Sequence, residues 1–209
     1  MSNKNINTII FDLGKVLIDW DPNRLYKKIF KDDKEREHFL ENICTSDWNV
    51  QQDAGRTLKE ATDILVEQHP KYENEIRAFY GRWPEMIGGA IQGTVDILHQ
   101  LKEENKVKLF ALTNWSAETF PYALENFDFL KIFEGILVSG DEKLIKPDIR
   151  IYELMTSRYN ITPTNALFID DSLKNIKGAE EHGLHGHHFL HPEGLRSELE
   201  GLGLLGISD

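Results

Sequence analysis

Residues 8–17 read TIIFDLGKVL, and this stretch decides the class of fold. Residues 8–11 are β-branched or aromatic, Asp12 follows them directly, and Gly14 comes two residues later. A short apolar run that stops at a polar residue and a glycine is typical of a buried strand followed by a tight loop. The pattern therefore predicts a first strand over 8–11, with Asp12 at its carboxyl end.

Three later segments have the same form, in which an apolar run stops at polar residues. They are VKLFAL at 107–112 before Thr113-Asn114, GILV at 135–138 before Ser139-Gly140-Asp141, and ALFI at 166–169 before Asp170-Asp171. Amphipathic helical patterns lie between them, for example at 94–104 and 149–159. Buried strands that alternate with such helices predict a parallel sheet and a doubly wound α/β core. Ligands of such sheets bind outside the carboxyl ends of the strands.

Residues 20–89 interrupt this alternation, because they contain several helical patterns and no comparable strand. Asp21-Pro22 has the form of an N-cap followed by proline at the first helical position, and residues 57–60 (TLKE) form a capping box. We therefore predict an all-helical cap over 20–89, inserted into a core made of 1–19 and 90–209.

The composition excludes several classes of protein. The 209 residues include 24 Lys and Arg against 35 Asp and Glu, which gives a net charge of -11 and argues against nucleic-acid binding. Cys44 is the single cysteine, so an internal disulfide and a thiolate zinc site are excluded. No apolar run approaches the length of a membrane span. We expect a cytoplasmic protein, a monomer or weak homodimer, with neither nucleic acid nor membrane as a partner.

Four polar sites occur in a fixed order along the chain. They are Asp12 in IIFDLGKVL, Thr113 in FALTNW, Lys146 in KLIKPDIRIYE and the pair Asp170-Asp171 in ALFIDDSLKN. In these motifs and their order the chain resembles the haloacid dehalogenase superfamily of hydrolases, over essentially its whole length. The resemblance implies a Rossmann-like core, a helical cap of the type most common in that superfamily, and phosphatase activity. A bacterial branch that acts on sugar phosphates shares the DLG-type loop.

The resemblance implies a magnesium-dependent reaction on a small phosphate ester, with Asp12 as the nucleophile. A carboxylate suits this role because the acyl-phosphate that it forms is more reactive than the ester, so one difficult step becomes two easier ones. Mg²⁺ prefers hard oxygen ligands, which Asp12, Asp170, Asp171 and the backbone carbonyl of Gly14 could supply. A helix cap would explain only one acid of the Asp170-Asp171 pair, and two adjacent buried acids repel unless a cation lies between them.

Lys146, Thr113 and Asn114 are the candidate contacts of the phosphoryl group. The Lys146 ammonium would neutralise phosphoryl oxygens and hold Asp12 in place, and the Thr113 hydroxyl and nearby amides would donate hydrogen bonds. In isolation each residue has a plainer interpretation, as a solvated lysine before a helix or as a residue that ends a strand. The four motifs together favour the catalytic interpretation.

Gly14 departs from the superfamily pattern. Phosphatases of the superfamily usually carry an aspartate two residues after the nucleophile, which serves as general acid and base. Without it, the enzyme could favour leaving groups that depart with little proton assistance, or another group could supply the proton. Lys15 and Asp19 are nearby candidates, although a structural or solvent-exposed role is favoured for both.

Side chains of the cap are expected to determine specificity. Trp20, Trp48, Asn49 and Trp83 are candidate substrate contacts, because aromatic faces and amides suit sugars and other polyols, with packing of the tryptophans inside the cap as the alternative. Arg56 is a further candidate, with a surface ion pair as its alternative. Five of the eight histidines cluster near the end of the chain, but they have no convincing ligand spacing, so a metal role is not expected for them; they are His182, His185, His187, His188 and His191.

Two other functions remain open. A 2-haloacid dehalogenase would use the same Asp12 to attack carbon without a metal, but such enzymes lack paired metal-binding acids in the fourth motif. A non-catalytic binding module would retain the fold and lose turnover, which Gly14 makes conceivable. Asp12, Thr113, Lys146 and both acids at 170–171 favour catalysis.

Overall fold

The computed structural model describes residues 5–206 and contains a five-stranded parallel sheet and a two-stranded antiparallel ribbon. The sheet has the order β5-β4-β1-β6-β7 and the ribbon pairs β2 with β3. The strands are β1 (Thr8–Phe11), β2 (Ile18–Trp20), β3 (Ile87–Ala90), β4 (Lys108–Thr113), β5 (Gly135–Val138), β6 (Ala166–Asp170) and β7 (His185–His188).

Helices pack on both faces of the sheet and form the insertion between β2 and β3. The α-helices are α1 (Asn23–Ile29), α2 (Asp33–Asn42), α3 (Ser46–Asp53), α4 (Leu58–Gln68), α5 (Glu73–Gly81), α6 (Gln92–Glu104), α7 (Phe120–Asn126), α8 (Ser139–Glu142), α9 (Ile149–Arg158), α10 (Leu173–Glu181) and α11 (Pro192–Gly201). Short 3-10 turns lie at Pro70–Tyr72, Trp83–Met86, Asp128–Ile132 and Pro163–Asn165. The predicted doubly wound α/β class is confirmed.

The central strand shows why its sequence is apolar throughout. Successive side chains of a strand point to opposite faces, so Ile9 and Phe11 belong to the larger core cluster while Ile10 belongs to the smaller one on the other face. All three are fully buried. β6 behaves likewise, with Leu167 on the first face and Phe168 on the second. A strand buried on both faces needs a continuous apolar run, which is the pattern that predicted it.

The order of the strands brings three of the motifs to one edge of the sheet. β1 lies between β4 and β6, and Phe11 is in register with Ala111 on one side and with Ile169 on the other. The chain places β4 and β5 on one side of β1 and then crosses over to place β6 and β7 on the other side. This reversal of direction opens a ligand crevice at the carboxyl ends of the strands. The predicted strand and helix bounds agree with the structure to within two residues.

The connection between the core and the insertion differs from the prediction of an all-helical segment over 20–89. Trp20 and residues 87–89 belong to the antiparallel ribbon, in which Ile18 pairs with Ala90 and Asp19 with Gly89. The ribbon was missed because its strands contain only three and four residues and include two glycines, too little for a periodic pattern. The helices α1 to α5 lie between its two strands, so the ribbon forms the base of the cap.

The helix starts in the cap agree with the predicted signals in one case and differ in the other. The Thr57 side chain accepts a hydrogen bond from the Glu60 amide at 3.2 Å, as the capping box predicts. Helix α1 begins at Asn23 with Pro22 as its N-cap residue, one position later than predicted. Asp21 still contributes, because its carboxylate accepts a hydrogen bond from the Asn23 amide at 2.9 Å.

Among residues 5–206, no helix combines the length and the apolar character that crossing a membrane requires.

The cap has an aromatic core of its own, and we expect its loss to be costly. Phe39 is fully buried, and its ring centroid lies 4.9 Å from that of Tyr26 and 5.2 Å from that of Phe30. Phe39→Ala should lower the free energy of unfolding by about 3–5 kcal/mol in urea titrations, because it leaves a cavity. Leu190→Ala, at a side chain that is 74% exposed, should change it by about 0.5 kcal/mol at most. Equal effects of the two changes would contradict this assignment of the core.

Candidate active site

Asp12 lies at the centre of the crevice, directly after β1. Its amide donates a hydrogen bond to the carbonyl of Ile169 at 2.8 Å, which continues the pairing of β1 with β6 by one residue. Thr113 ends β4 and Asp170 ends β6, so the neighbouring strands deliver both side chains beside Asp12. The structure thus brings together the first, second and fourth sequence motifs, as the parallel sheet predicted.

Lys146 joins this group from the loop before α9. Its ammonium nitrogen lies 2.9 Å from Asp12 Oδ1 and 2.7 Å from Asp170 Oδ2, and it also donates to the carbonyl of Leu112 at 2.9 Å. The Lys146 residue is only 2% exposed. Burial lowers the pKa of Lys146, but attraction to the two carboxylates outweighs burial and raises it overall, so the side chain is charged. A solvated lysine is thereby excluded.

The two oxygens of Asp12 have different surroundings. Oδ1 accepts hydrogen bonds from the Leu13 amide at 2.7 Å and from Lys146. Oδ2 accepts none from the residues between 5 and 206, so it is the oxygen available for another partner. The pKa of Asp12 is raised to about 7, because burial, and to a lesser extent the negative charge of Asp170, outweigh the lowering effect of Lys146. A nearby cation would favour the ionised form.

Asp170 is held rigidly by the start of α10. Its Oδ1 accepts hydrogen bonds from the Ser172 amide at 2.8 Å and from Asn175 Nδ2 at 3.0 Å, while Asn175 also lies 3.1 Å from Oδ2. Sequence analysis did not single out Asn175, although it belongs to the ALFIDDSLKN motif. Its position in the first turn of the helix that follows β6 was the available signal.

The carboxylates form a group that could hold a metal ion. One oxygen from each of Asp12, Asp170 and Asp171 can be chosen so that all lie within 4.8 Å of one another. Burial, followed by repulsion from Asp170, raises the pKa of the half-buried Asp171. Three carboxylates against one ammonium leave an excess of negative charge, which a divalent cation would neutralise. The predicted metal-binding acids therefore meet at one place.

Gly14 contributes a backbone oxygen to the same region. The bridge between Gly14 and Ile18 uses the Lys15 amide with the Ile18 carbonyl, and the Ile18 amide with the Leu13 carbonyl. The Gly14 carbonyl accepts no hydrogen bond from the described part of the chain. It is therefore free to act as the predicted ligand.

Thr113 and Asn114 differ in their hydrogen-bond partners. The Thr113 hydroxyl is buried and has no hydrogen-bond partner among residues 5–206, so it is free for a ligand. Asn114 instead accepts from the Lys146 amide at 2.9 Å and donates to the Lys146 carbonyl at 3.1 Å. Asn114 therefore fixes the backbone of Lys146, whose peptide bond to Pro147 is cis. Sequence analysis predicted a substrate contact for Asn114 and did not foresee this role.

Comparison with known proteins agrees with this geometry. The model of the haloacid dehalogenase-like hydrolase family matches residues 9–186, which include every motif residue described above. The chain belongs to this family. The predictions of family and of hydrolytic enzyme are confirmed.

Two curated relatives of this hydrolase are phosphatases. A sesquiterpene phosphatase of Aspergillus oryzae is 28% identical over 86% of the chain and 87% of its own length. A phosphorylated carbohydrates phosphatase of Thermotoga maritima is 27% identical over 86% of the chain and 82% of its own length.

Solved structures of an enzyme of this family from Bacteroides thetaiotaomicron are similar to the whole hydrolase. Its magnesium complex has a TM-score of 0.70 and 27% identity over 90% of this chain and 95% of that chain. Its complex with magnesium and inorganic phosphate has a TM-score of 0.67 and 28% identity over 89% and 95% of the two chains. An L-2-haloacid dehalogenase of Xanthobacter autotrophicus, at 14% identity and a TM-score of 0.63 over 94% and 83%, shares the fold.

A cavity of about 100 Å³ lies between the cap and the core of the hydrolase, beside Gly14. Four aromatic side chains form much of its wall, and amide, hydroxyl and carboxyl groups supply the rest. The lining residues are Gly14, Trp20, Asn49, Asp53, Tyr80, Trp83, Asn114, Trp115, Ser116 and Thr119. The indole nitrogen of Trp20 is buried and has no hydrogen-bond partner within residues 5–206.

The predicted cap contacts divide into two groups. Trp20, Asn49 and Trp83 line the cavity, as expected for substrate contacts. Trp48 does not: its indole nitrogen donates to the Ala61 carbonyl at 3.3 Å, and its ring packs edge-on against Phe79 at 5.1 Å. The interpretation of Trp48 as a substrate contact is therefore corrected to packing within the cap, because α3 turns its indole toward α4 and α5.

A hydrogen-bond chain orients Asn49. Gln52 Nε2 lies 2.7 Å from the Tyr80 hydroxyl, which donates to Asn49 Oδ1 at 2.9 Å. Arg56 donates to Gln52 Oε1 at 2.8 Å and to the Trp48 carbonyl at 3.1 Å, so it makes neither the predicted substrate contact nor a surface ion pair. Since Tyr80 occupies the Asn49 oxygen, the amide nitrogen of Asn49 is the group left for a ligand.

Asp53 is a cavity residue that sequence analysis missed. It ends α3, and its backbone carbonyl accepts a hydrogen bond from the Ser139 hydroxyl at 2.6 Å. Ser139 in turn accepts from the Trp115 amide at 3.0 Å, so Asp53 is bound to the loop that follows β4. Burial raises the pKa of Asp53 to about 7, against the lowering effects of the Ser116 amide and of the Lys146 charge. No local pattern marks such a residue, because cap docking creates its surroundings.

Neither candidate for the missing proton donor lines the cavity, although the charge of Lys15 is near enough to Asp171 to lower the pKa of that acid. Asp19 forms an ion pair with Arg24 and lies on the ribbon, and Lys15 is exposed. The histidines bind protein groups rather than one another: His187 Nδ1 lies 2.6 Å from Glu198 Oε2, and His182 Nε2 lies 2.9 Å from Thr156 Oγ1.

We expect Asp53→Asn to stabilise the hydrolase at neutral and alkaline pH. An acid whose pKa is higher in the folded than in the unfolded state stabilises the fold only at low pH. For Asp53 this stability is lost as the pH rises from 3.8 through about 7. The asparagine variant has no proton to lose, so this pH-dependent loss of stability is absent. Its Tm, measured by differential scanning calorimetry, should exceed the wild-type Tm above pH 7 and approach the wild-type Tm near pH 4.

Asp47→Asn is the matched control, because Asp47 is an exposed acid on the same helix. Its Tm should follow that of the wild type at every pH. A constant difference between Asp53→Asn and the wild type across the pH range would contradict the raised pKa.

Proposed function

We propose that the protein is a Mg²⁺-dependent phosphohydrolase that cleaves a small phosphate monoester through an aspartyl-phosphate on Asp12. The observation that carries the proposal is the buried Lys146 ammonium, 2.9 Å from Asp12 and 2.7 Å from Asp170, next to the unpartnered hydroxyl of Thr113. Positive charge and a free donor converge on the place where phosphoryl oxygens would lie. Such preorganised groups stabilise charge that develops in phosphoryl transfer.

The residues divide the reaction between them. Lys146 and the Leu13 amide hold Oδ1 of Asp12, which leaves Oδ2 to attack phosphorus. The bond from Oδ2 to phosphorus forms as the bond to the leaving-group oxygen breaks. Water then attacks phosphorus, the Asp12–phosphorus bond breaks, and inorganic phosphate is released. Thr113 donates a hydrogen bond to a phosphoryl oxygen in both steps, and the positive charge of Lys146 stabilises the phosphoryl group.

Mg²⁺ fits the group of carboxylates at Asp12, Asp170 and Asp171 together with the Gly14 carbonyl, because all four offer hard oxygen ligands. When bound, it supplies charge neutralisation of the transferring phosphoryl group. Asn175 and the Ser172 amide keep Asp170 in position for this role. The family enzyme from Bacteroides thetaiotaomicron supports the choice of metal, since it was crystallised with magnesium and inorganic phosphate.

The cavity supports a compact, polar leaving group such as a sugar or another polyol. Its volume of about 100 Å³ is below the roughly 300–1,000 Å³ of pockets for drug-sized ligands. Aromatic faces of Trp20 and Trp83 alternate in its wall with the amides of Asn49 and Asn114, a combination that suits rings carrying hydroxyl groups. Relatives include both a phosphorylated carbohydrates phosphatase and a sesquiterpene phosphatase, so the proposal of a polyol rests on the polar groups that line the cavity.

A 2-haloacid dehalogenase is the second candidate, since the shared fold is compatible with it. The group of three carboxylates disfavours it, because a metal-independent attack on carbon leaves the single ammonium of Lys146 to offset the repulsion among three acids. A cationic halide site is also required, and the cavity contains no Lys or Arg among its lining residues.

We expect Asp12→Asn to abolish hydrolysis of 4-nitrophenyl phosphate in the presence of Mg²⁺. Loss of the covalent nucleophile should lower kcat by more than about 1,000-fold, followed as nitrophenolate release. Asp128→Asn, at an exposed acid paired with Lys131, is the control and should keep wild-type activity. An active Asp12→Asn variant would refute the nucleophile. Metal-free release of chloride from chloroacetate by a wild type inert toward phosphate esters would establish the dehalogenase instead.

We also expect Mg²⁺ to stabilise the protein through the three carboxylates. A ligand at 100 times its Kd adds about 2.7 kcal/mol to the free energy of unfolding, so the Tm should rise by several degrees. Asp171→Asn should weaken Mg²⁺ binding at least about 10-fold in a thermal-shift titration, as expected for a ligand or a residue that orients one. Asp128→Asn should titrate like the wild type. If Mg²⁺ leaves the Tm of the wild type unchanged, the metal site is rejected.

A further inference from the structure

Cleavage of an alkyl or sugar phosphate requires a proton for the departing oxygen, and among residues 5–206 the site around Asp12 offers no acid for this beyond the proposed metal-binding group of Asp12, Asp170 and Asp171. Lys146 is occupied by two carboxylates and a carbonyl, and Asp170 accepts hydrogen bonds on both oxygens. Gly14 has no side chain, and Asp19 is paired with Arg24 outside the crevice. A proton donor must therefore come from the region where the leaving group lies.

That region is the cavity between cap and core, and Asp53 is the only acidic side chain among the residues that line it. Gly14, two residues after the nucleophile, lines the same cavity, as does Asn114, which grips the Lys146 backbone. A leaving group that fills the cavity therefore lies against both Asp53 and Gly14, the second residue after the nucleophile. Lys146 is close enough for its charge to act on the Asp53 carboxyl.

The contacts of Asp53 hold its carboxyl in place without neutralising it. Its backbone is fastened through Ser139 to the Trp115 amide, and the Ser116 amide favours the charged form of the carboxyl by lowering its pKa. Within residues 5–206, no Lys, Arg or His forms an ion pair with it. An acid that only fastened the cap would be expected to pair with a cation of the core. The raised pKa leaves a proton on Asp53 near neutral pH, which is where a general acid is most effective.

We propose that Asp53, delivered by the cap, is the general acid and base of the reaction. In the first step Asp53 gives its proton to the leaving-group oxygen as the bond from that oxygen to phosphorus breaks and the bond from Asp12 to phosphorus forms. In the second step the Asp53 carboxylate takes a proton from the attacking water, and the Asp12–phosphorus bond breaks. Ester and water are consumed, alcohol and phosphate are formed, and Asp53 ends protonated as it began.

The inference rests on the proposed phosphatase reaction, and a pair of esters of nearly the same shape separates the two. Phenyl phosphate has a poor leaving group that needs a proton, whereas 4-nitrophenyl phosphate has a good one that does not. Asp53→Asn should lower kcat/KM for phenyl phosphate by about 100-fold or more and for 4-nitrophenyl phosphate by less than about 10-fold. Asp47→Asn, an exposed acid on the same helix, should match the wild type on both esters.

A second variant tests whether the missing function is a proton. A Cβ at Gly14 would meet no atom within 4 Å, so an aspartate can be accommodated there on the same cavity. Adding Gly14→Asp to the Asp53→Asn variant should raise kcat/KM for phenyl phosphate at least about 10-fold and should change kcat/KM for the nitrophenyl ester little. Recovery on both esters alike, or on neither, would mean that Asp53 shapes the site rather than supplies a proton.

The outcomes distinguish the two proposals. If the wild type hydrolyses neither ester, or if Asp12→Asn is as active as the wild type, the phosphatase proposal fails and Asp53 loses its role with it. If the wild type is active and Asp12→Asn is inactive, but Asp53→Asn loses both esters equally or loses neither, only the assignment of Asp53 is overturned. Tm values of all variants, measured alongside, identify any loss that reflects unfolding.

Discussion

The site depends on one buried ammonium group shared by two carboxylates. A buried lysine is tolerated only when the attraction of fixed negative charges exceeds the cost of removing it from water. Asp12 and Asp170 supply those charges at 2.9 and 2.7 Å, and the Leu112 carbonyl satisfies a further proton. The same contacts hold Asp12, the proposed nucleophile, in place and set positive charge beside it. Packing of the sheet and of Asn114 against the Lys146 backbone keeps this arrangement from relaxing.

The clustering of acids has an energetic cost that the fold offsets elsewhere. Burial raises the pKa of Asp12, Asp53 and Asp171, so each would be more stable in water as a carboxylate. Perturbed acids that gather around one cleft are a common property of catalytic sites, because the environment that disfavours a charge also tunes proton transfer. The two apolar clusters on either face of the sheet provide the stability against which such a site can be maintained.

The division of labour between core and cap follows from their architecture. Strand ends in a parallel sheet present side chains at nearly constant positions, which suits the phosphoryl group that every substrate shares. The cap stands on a short ribbon and closes over these strand ends, so its residues meet the part of the substrate that varies. Asp53 belongs to the cap but is tied to the core, because Ser139 fastens its backbone to a core loop while the residue lines the cavity.

The sequence by itself determined the parallel sheet, its helices and the positions of the four motifs. Each strand is encoded locally by an apolar run that ends in polar residues, and each helix by an amphipathic pattern. It also marked Asp12, Thr113 and the acids at 170–171, because parallel strands must bring their carboxyl ends together, and it marked Lys146 by its place in the order of the motifs. Only the tertiary structure decided that Trp48 packs inside the cap, that Asn114 holds Lys146, and that Asp53 enters the cavity. These depend on how α3 docks against loops distant in sequence, a contact that leaves no periodic signal in the chain.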